Sequence, residues 1–227
     1  MSVGSSSTIE VEWESFLPAR AKGWRWRFGQ RVKRLFDIVV SSILLVLLSP
    51  LLLLIGLLVW VTSGRPIFYR WEVLGERARP FVGYKFRTMV RDADALKAEI
   101  LDQNEMTGPV FKIRNDPRVT PLGRFLRKYS LDELPQLWSV LRGDMSLVGP
   151  RPPSAAEFAE FEAWQRGKLA VIPGITCLWQ VMGRSEISDF DEWARLDLEY
   201  IEGWSLWLDL VILVRTVPAV LRGRGAY

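Results

Sequence analysis

Histidine is absent from the 227 residues of the chain. That absence excludes Ser-His-Asp and Cys-His nucleophilic chemistry and any zinc site built on imidazole, leaving acid–base work to carboxylates, lysine or tyrosine. Cysteine is nearly absent too. Cys177 stands alone, without a partner for an internal disulfide or the neighbours of a catalytic thiol, and reads as a small packed residue in a reduced compartment. Acidic residues are missing after Glu14 until Asp37, and into that gap fall Arg20, Lys22, Arg25, Arg27, Arg31, Lys33 and Arg34. The net charge of +4 is modest, but its placement is not. A basic, aromatic arm directly before an apolar run suits the anionic headgroups of membrane lipids. No zinc motif or RNA-binding aromatic signature accompanies the charge, so no nucleic-acid partner is expected. Internal repeats are also absent, and the length suits one catalytic core with a membrane element.

Residues Leu35 to Val61 are nearly continuous hydrocarbon, interrupted by Asp37, Ser41, Ser42, Ser49, Pro50 and Gly56. The run is too long and too late for a signal-peptide core. As one straight helix it measures about 40 Å, enough to span a bilayer. Two features oppose spanning. Ser49-Pro50 sits near the middle, where proline removes a backbone hydrogen bond, and basic residues flank both ends, Arg31, Lys33 and Arg34 before, Arg65 and Arg70 after. Each half, about 21 Å long, falls short of a hydrocarbon core of about 30 Å, so a re-entrant helix-break-helix is expected. The implied division is a basic N-terminal arm over 1–34, a re-entrant element over 35–62 and a catalytic domain over 63–227 on the cytoplasmic side. The Ser-rich start, Met1 to Ser7, reads as disordered.

Beyond Gly64-Arg65-Pro66 the pattern turns to β. Ile67–Leu74 and Phe81–Met89 read as two strands joined around Gly75-Glu76, with Tyr84 and Phe86 inward and Lys85 and Arg87 sharing the opposite face. Val90 to Asp102 is an acidic helix, and Phe111 to Thr120 reads as a short strand and turn before a helix over Gly123 to Lys128. Ala155 to Gln165 reads as an amphipathic helix, Pro173 to Thr176 as a turn, Ile187 to Tyr200 as a polar helix, and Trp204 to Leu221 as an interfacial or core helix.

The best chemistry lies between Ser130 and Pro152. Leu131, Leu134, Leu137, Trp138 and Leu141 repeat at helical spacing, which predicts an inward face with Asp132, Glu133 and Gln136 opposite it. Ser130 caps that helix, or else the helix begins at Pro135; in both cases free backbone N–H groups point towards an acidic pair, a place that suits phosphate. Ser130 and Glu133 also fit a capping box, so the pair alone has a purely structural explanation. The context adds weight: in Gly149-Pro150-Arg151-Pro152 two prolines hold Arg151 on a stiff backbone, where its planar fork is a good phosphate clamp.

These residues resemble the bacterial monotopic phosphoglycosyl transferases, also called polyprenyl-phosphate sugar-1-phosphate transferases. The resemblance rests on Tyr84-Lys85-Phe86-Arg87-Thr88-Met89, Phe125-Leu126-Arg127-Lys128, Ser130 to Trp138, Gly143-Asp144-Met145-Ser146, Gly149-Pro150-Arg151-Pro152 and Pro173-Gly174-Ile175-Thr176, in that order and spacing. It runs from about Lys33 to Tyr227. The ending Arg222 to Tyr227 is similar to the subgroup that transfers hexose 1-phosphates in exopolysaccharide or O-antigen assembly, here as a short form without the additional membrane helices many of that subgroup carry. Cys177 stands where the family commonly has glycine.

The resemblance implies an α+β, monotopic protein: a re-entrant helix-break-helix and a small, mostly helical catalytic domain containing a short β-hairpin. It implies transfer of a sugar 1-phosphate from a nucleoside diphosphate sugar, UDP-glucose or UDP-galactose by preference, to undecaprenyl phosphate. Asp132 is then the nucleophile, and the intermediate is a covalent aspartyl phosphosugar. Lys85, Arg87, Arg127, Pro150, Arg151 and Pro152 would serve the substrate phosphates, with Gln180 and Arg184 near the nucleotide or sugar end. Mg²⁺ is the expected cofactor, with Asp132, Glu133 and Asp144 as candidate ligands. Glu133 remains either ligand or base. A homodimer is a further expectation, supported by the aromatic surface. Two other readings stay open, a non-catalytic membrane scaffold and a hydrolase of the same nucleotide sugar.

Overall fold

The computed structural model describes residues 11–183 and 187–223. The expected disorder at Met1 to Ser7, Arg184, and most of the Arg222 to Tyr227 ending lie outside them. Helix α1 (Trp24–Leu47) carries the basic arm and the first half of the apolar run as one unbroken element. Helix α2 (Ser49–Ser63) follows after a single residue, with Pro50 in its first turn, where the missing N–H is tolerated. The two helices meet at 61°, and among the described residues no single helix is long and apolar enough to cross a membrane.

One stripe of α1 is polar and buried: Lys33, Asp37 and Ser41, spaced by four. Lys33 Nζ donates to Val148 O at 2.9 Å and to Asp209 Oδ2 at 2.7 Å. Asp37 Oδ1 accepts from Leu147 N at 3.0 Å, and the Arg34 guanidinium donates to Val140 O and Leu141 O. The charges that interrupt the apolar run thus fasten it to the catalytic domain. The opposite side of the hairpin leaves Val39, Ile43, Val46, Leu53, Leu57 and Trp60 exposed.

Strands β1 (Phe68–Leu74) and β2 (Pro80–Phe86) form the expected antiparallel hairpin, with Tyr69 opposite Lys85 and Trp71 opposite Gly83. Short helix α3 (Ala93–Leu96) and a 3-10 turn follow. No strand forms over 111–120; its contribution is a single bridge between Met89 and Val119. Thr120 caps helix α4 (Pro121–Lys128) by accepting from Gly123 N at 3.0 Å. Gly123 is required there, because a Cβ would fall 2.0 Å from Thr88 O. That close approach seats α4 on the exit of β2.

A 3-10 segment (Leu131–Gln136) leads into helix α5 (Leu137–Arg142) and strand β3 (Ser146–Val148). Pro173 to Thr176 is not a turn: Gly174–Thr176 is strand β4, parallel to β3 with Ser146 opposite Gly174. Glycine makes this pairing possible, since a Cβ on Gly174 would lie 2.0 Å from Gly149 N. The helix expected over 155–165 shortens to α6 (Ala155–Ala159), and the chain beyond it turns so that Phe161 packs inside with Phe190 and Trp193. Helices α7 (Leu178–Met182), α8 (Phe190–Gly203) and α9 (Leu206–Arg222) complete the chain. Asp209 of α9 is buried at the centre of this assembly, accepting from Lys33, from the Tyr200 hydroxyl at 2.7 Å and from Trp204 Nε1 at 3.2 Å.

Candidate active site

The acidic pair does not sit on a regular helix face. Ser130 adopts a left-handed conformation, φ 51°, and its side chain makes no capping bond, so neither the expected cap nor the capping box forms. The next six residues wind at three per turn rather than 3.6. That tighter winding mixes the predicted faces: Asp132 is only 9 % exposed and Gln136 2 %, Leu137 stays buried as expected, and Trp138, in the following α-helix, is 50 % exposed.

Inward-facing Asp132 lines a cavity of about 1150 Å³. Lys85, Arg87, Arg127 and Arg151 line it too, so four of the predicted phosphate-binding cations share one wall system with the predicted nucleophile. Lys85 Nζ donates to Glu133 Oε1 at 2.9 Å and lies 4.1 Å from the centre of the Trp71 ring. Arg151 faces the same ring at 5.9 Å and reaches Glu157 Oε1 at 3.6 Å. Arg127, carried by α4, donates through Nε to Thr88 Oγ1 at 2.9 Å. Arg87 has a second attachment: its guanidinium donates to the carbonyls of Ser63 and Gly64, holding the end of α2 against β2. Pro150 and Pro152 are buried, and Pro150 O accepts from Gly174 N at 3.0 Å, which fixes the backbone on which Arg151 stands.

Burial raises the Asp132 carboxyl to about 6, with adjacent Glu133 adding to the rise and Lys85 and Arg127 opposing it. Burial likewise holds the Arg127 guanidinium below its ordinary value, against the pull of Asp132 and Asp116. Glu157 goes the other way: burial would raise it, but Arg151 and the Ser154 N–H outweigh that and leave it lowered. The site is therefore a pocket of opposed charges, with one carboxylate that titrates close to neutrality.

Two predicted residues, Asp144 and Gln180, are not brought together with the rest. Asp144 points its carboxylate at Arg142 Nε, 3.2 Å away, and among the described residues no cluster of three acidic or cysteine side chains could hold a metal ion. The left-handed Gly143 that ends α5 turns the chain there into β3. Gln180 is outside this cavity; its Oε1 accepts from Cys177 N at 3.0 Å, a structural cap for α7. Arg184 lies outside the described residues. Cys177 is buried as expected, and burial pushes its thiol well up.

Trp71 and Thr88 were not anticipated. For Trp71 the signal was in the strand register: it faces Gly83, which offers no side chain, and Lys85 is two residues further along the same face. A second cavity, about 240 Å³ and mostly aliphatic, opens on the other side of the acidic pair. Glu133 lines it, whereas Asp132 lines the first.

The sequence profile described as "Bacterial sugar transferase" matches residues 28–223. Galactosyl transferase CpsE of Streptococcus agalactiae is 48 % identical over 164 residues, 72 % of this chain and 36 % of that protein. Exopolysaccharide production protein ExoY of Rhizobium meliloti is 40 % identical over 226 residues, 98 % of this chain and 99 % of that protein. The undecaprenyl-phosphate galactose phosphotransferase of Salmonella typhimurium is 42 % identical over 205 residues, 88 % of this chain and 43 % of that protein. The chain thus spans less than half the length of two of these relatives and nearly the whole of the third.

Proposed function

The chain belongs to the bacterial sugar transferase family, and from that premise we propose that it transfers a hexose 1-phosphate from a nucleoside diphosphate sugar to undecaprenyl phosphate. The product would be the first lipid-linked sugar of an exopolysaccharide or O-antigen. Galactose, named for two of the relatives, and glucose are the candidate sugars, carried on UDP.

The observation that carries this reading is the buried Asp132 in one cavity with Lys85, Arg127 and Arg151. Two anionic substrates must be held together for phosphoryl transfer, so charge neutralisation and positioning do most of the work. The three cations take the donor's diphosphate. An Asp132 oxygen attacks the sugar-bearing phosphorus, the bond from that phosphorus to the bridging oxygen breaks, and UMP leaves with the electron pair. A phosphate oxygen of the acceptor then attacks the same phosphorus, the bond to Asp132 breaks, and the carboxylate is restored.

The donor set fits Mg²⁺. Two adjacent carboxylates, Asp132 and Glu133, offer hard oxygens, and a hard cation that keeps several waters needs few protein ligands when substrate phosphates supply the rest. Bound there, Mg²⁺ would neutralise diphosphate charge and ease the mutual repulsion that helps to raise Asp132. Whether Glu133 serves as ligand or base, its bond to Lys85 keeps it oriented.

In this reading the α1–α2 hairpin enters and leaves one leaflet at the cytoplasmic face. Supporting it are the 61° bend, the exposed aliphatic side chains and the arginines at both ends. The catalytic cavity then lies at the depth of a lipid phosphate.

The test is intact-protein mass after incubation with UDP-galactose or UDP-glucose and Mg²⁺, without acceptor, on wild type and Asp132→Asn. A hexose-phosphate adduct on wild type alone, with one UMP released per protein, is the expected result. Continuous release of sugar phosphate without acceptor would make the protein a hydrolase. No adduct, and no UMP when undecaprenyl phosphate is added, would return it to a scaffold.

A further inference from the structure

We propose that the 240 Å³ apolar cavity is the seat of the acceptor's hydrocarbon chain, entered sideways from the membrane and ending at Glu133. The inference rests on the transferase reading above and adds to it where the second substrate lies.

The walls are Leu44 at the end of α1, Leu48 at the break, Leu134 and Leu137 beside the acidic pair, and Leu213 and Val220 of α9. Most of the polar groups in the lining are already engaged. Thr176 and Thr216 share a hydroxyl–hydroxyl bond of 2.8 Å, Thr216 also donates to Ile212 O, and Gln180 caps Cys177. A polar ligand would find little to bond with there, whereas hydrocarbon would lose nothing by entering. Glu133, the one charged group in the lining, belongs to the acidic pair and is bonded to the Lys85 that also lines the polar cavity.

The two helices that form the outer walls are themselves apolar on the outside. Ile43 and Val46 of α1 and Val214, Val217 and Leu221 of α9 are all exposed. A chain lying in the bilayer therefore meets continuous hydrocarbon from the leaflet to the cavity wall. Its occupant must present a phosphate at the Glu133 end, because Asp132, one residue away, faces the donor's cations. An isoprenoid chain with a terminal phosphate meets both demands. The volume admits only the first few carbons of such a chain, and the remainder stays in the leaflet.

The experiment uses the full chain in lipid vesicles with undecaprenyl phosphate as acceptor. Ala219→Phe puts a ring into the cavity from α9 and leaves both acidic residues unchanged. Its rate of adduct formation from UDP-sugar should remain within about twofold of wild type, while KM for undecaprenyl phosphate rises about tenfold or more at a similar kcat. An unchanged KM in a variant that still forms adduct overturns the proposal. In parallel, a polyprenyl phosphate bearing a diazirine near its phosphate is photolysed with wild type. Labelling of peptides containing Val181, Leu213 or Val220, suppressed by undecaprenyl phosphate and not by phosphatidylglycerol, supports the assignment. Equal suppression by both lipids, or labelling elsewhere, overturns it and makes the cavity a site for ordinary acyl chains or none. Labelling needs no turnover, so it decides the cavity's occupant even if Ala219→Phe fails to fold. A wild type that makes no adduct but labels at these peptides would overturn the transferase reading alone.

Discussion

Lys85 and Glu133, 48 residues apart in sequence, meet at 2.9 Å between Nζ and Oε1, and the Trp71 ring lies against the other side of the same ammonium. The lysine is thereby held between a carboxylate and an aromatic face, with no long-range freedom to lose when a phosphate arrives. Two strands and the 3-10 segment are joined by that one side chain, which makes the hairpin part of the catalytic apparatus.

Removing Trp71 should disturb this arrangement without unfolding the domain. An exposed-to-buried cation–π contact is worth about 0.5–2 kcal/mol, so Trp71→Ala is expected to lower kcat/KM by roughly 2- to 30-fold. Trp71→Phe should keep most of the activity, since a ring face remains. Steady-state kinetics with varied UDP-sugar distinguish the two, and equal rates for all three proteins would show that the ring has no part in holding Lys85.

On the proposed reading Asp132 must be ionised to attack phosphorus, and in the free protein its carboxyl sits at about 6. kcat/KM for the UDP-sugar, which reports the free enzyme, should therefore be near its plateau at pH 8 and fall about tenfold per unit below pH 6. A profile that stays flat down to pH 5 would exclude a nucleophile with this environment.

The same shift acts on stability, with the opposite sign to a salt-bridged aspartate. The ordinary value is 3.8 and the folded one about 6, so the folded state holds the proton more tightly. The favourable contribution is complete below about pH 4 and is lost as pH rises through 6, a loss on the order of 2–3 kcal/mol. Asp132→Asn should accordingly melt several degrees higher than wild type at pH 8, and the two should converge near pH 4. Calorimetry of the substrate-free protein in detergent decides this; a less stable variant at pH 8 would contradict it.

The ion pair of Lys33 and Asp209 predicts a different pattern. Both side chains are buried, so Lys33→Met or Asp209→Leu leaves a charge without its partner and should cost about 3–5 kcal/mol. Lys33→Met with Asp209→Leu together should cost clearly less than the sum of the single changes. Denaturant titration of the four proteins measures the coupling, and simple additivity would mean that the pair is not a unit.

Much of the frame was legible before any coordinates. The proline at the break and the alternation in the hairpin each act through a short stretch of chain, and both emerged as expected; Lys33 and Arg34, read as flanking charges, are instead bonded into the protein by groups far along the chain. The misreadings share a cause. Ser130 lies in the left-handed region and the following residues wind at three per turn, so a 3.6-residue projection put Asp132 and Gln136 on the wrong side. Gly174 was read as a turn because glycine usually marks one, whereas here it admits a neighbouring backbone 2.0 Å from where its Cβ would stand. Asp144 was a candidate through the Gly143-Asp144-Met145-Ser146 block, and its carboxylate instead meets Arg142. Trp71 could be found only by pairing two strands in register. Local chemistry was readable; residues whose roles depend on what approaches from elsewhere in the chain were not.

The acidic pair faces two chambers with two consecutive residues, Asp132 towards the cations and Glu133 towards the hydrocarbon. Consecutive Cα atoms are about 3.8 Å apart. On the proposed reading, a phosphosugar bonded to Asp132 would be separated from a lipid phosphate at Glu133 by the width of one residue, and delivery between a water-soluble donor and a bilayer-bound acceptor would require no domain to travel. Distance itself would be nearly eliminated from the reaction, and turnover would be governed by how quickly UMP leaves and a fresh lipid arrives.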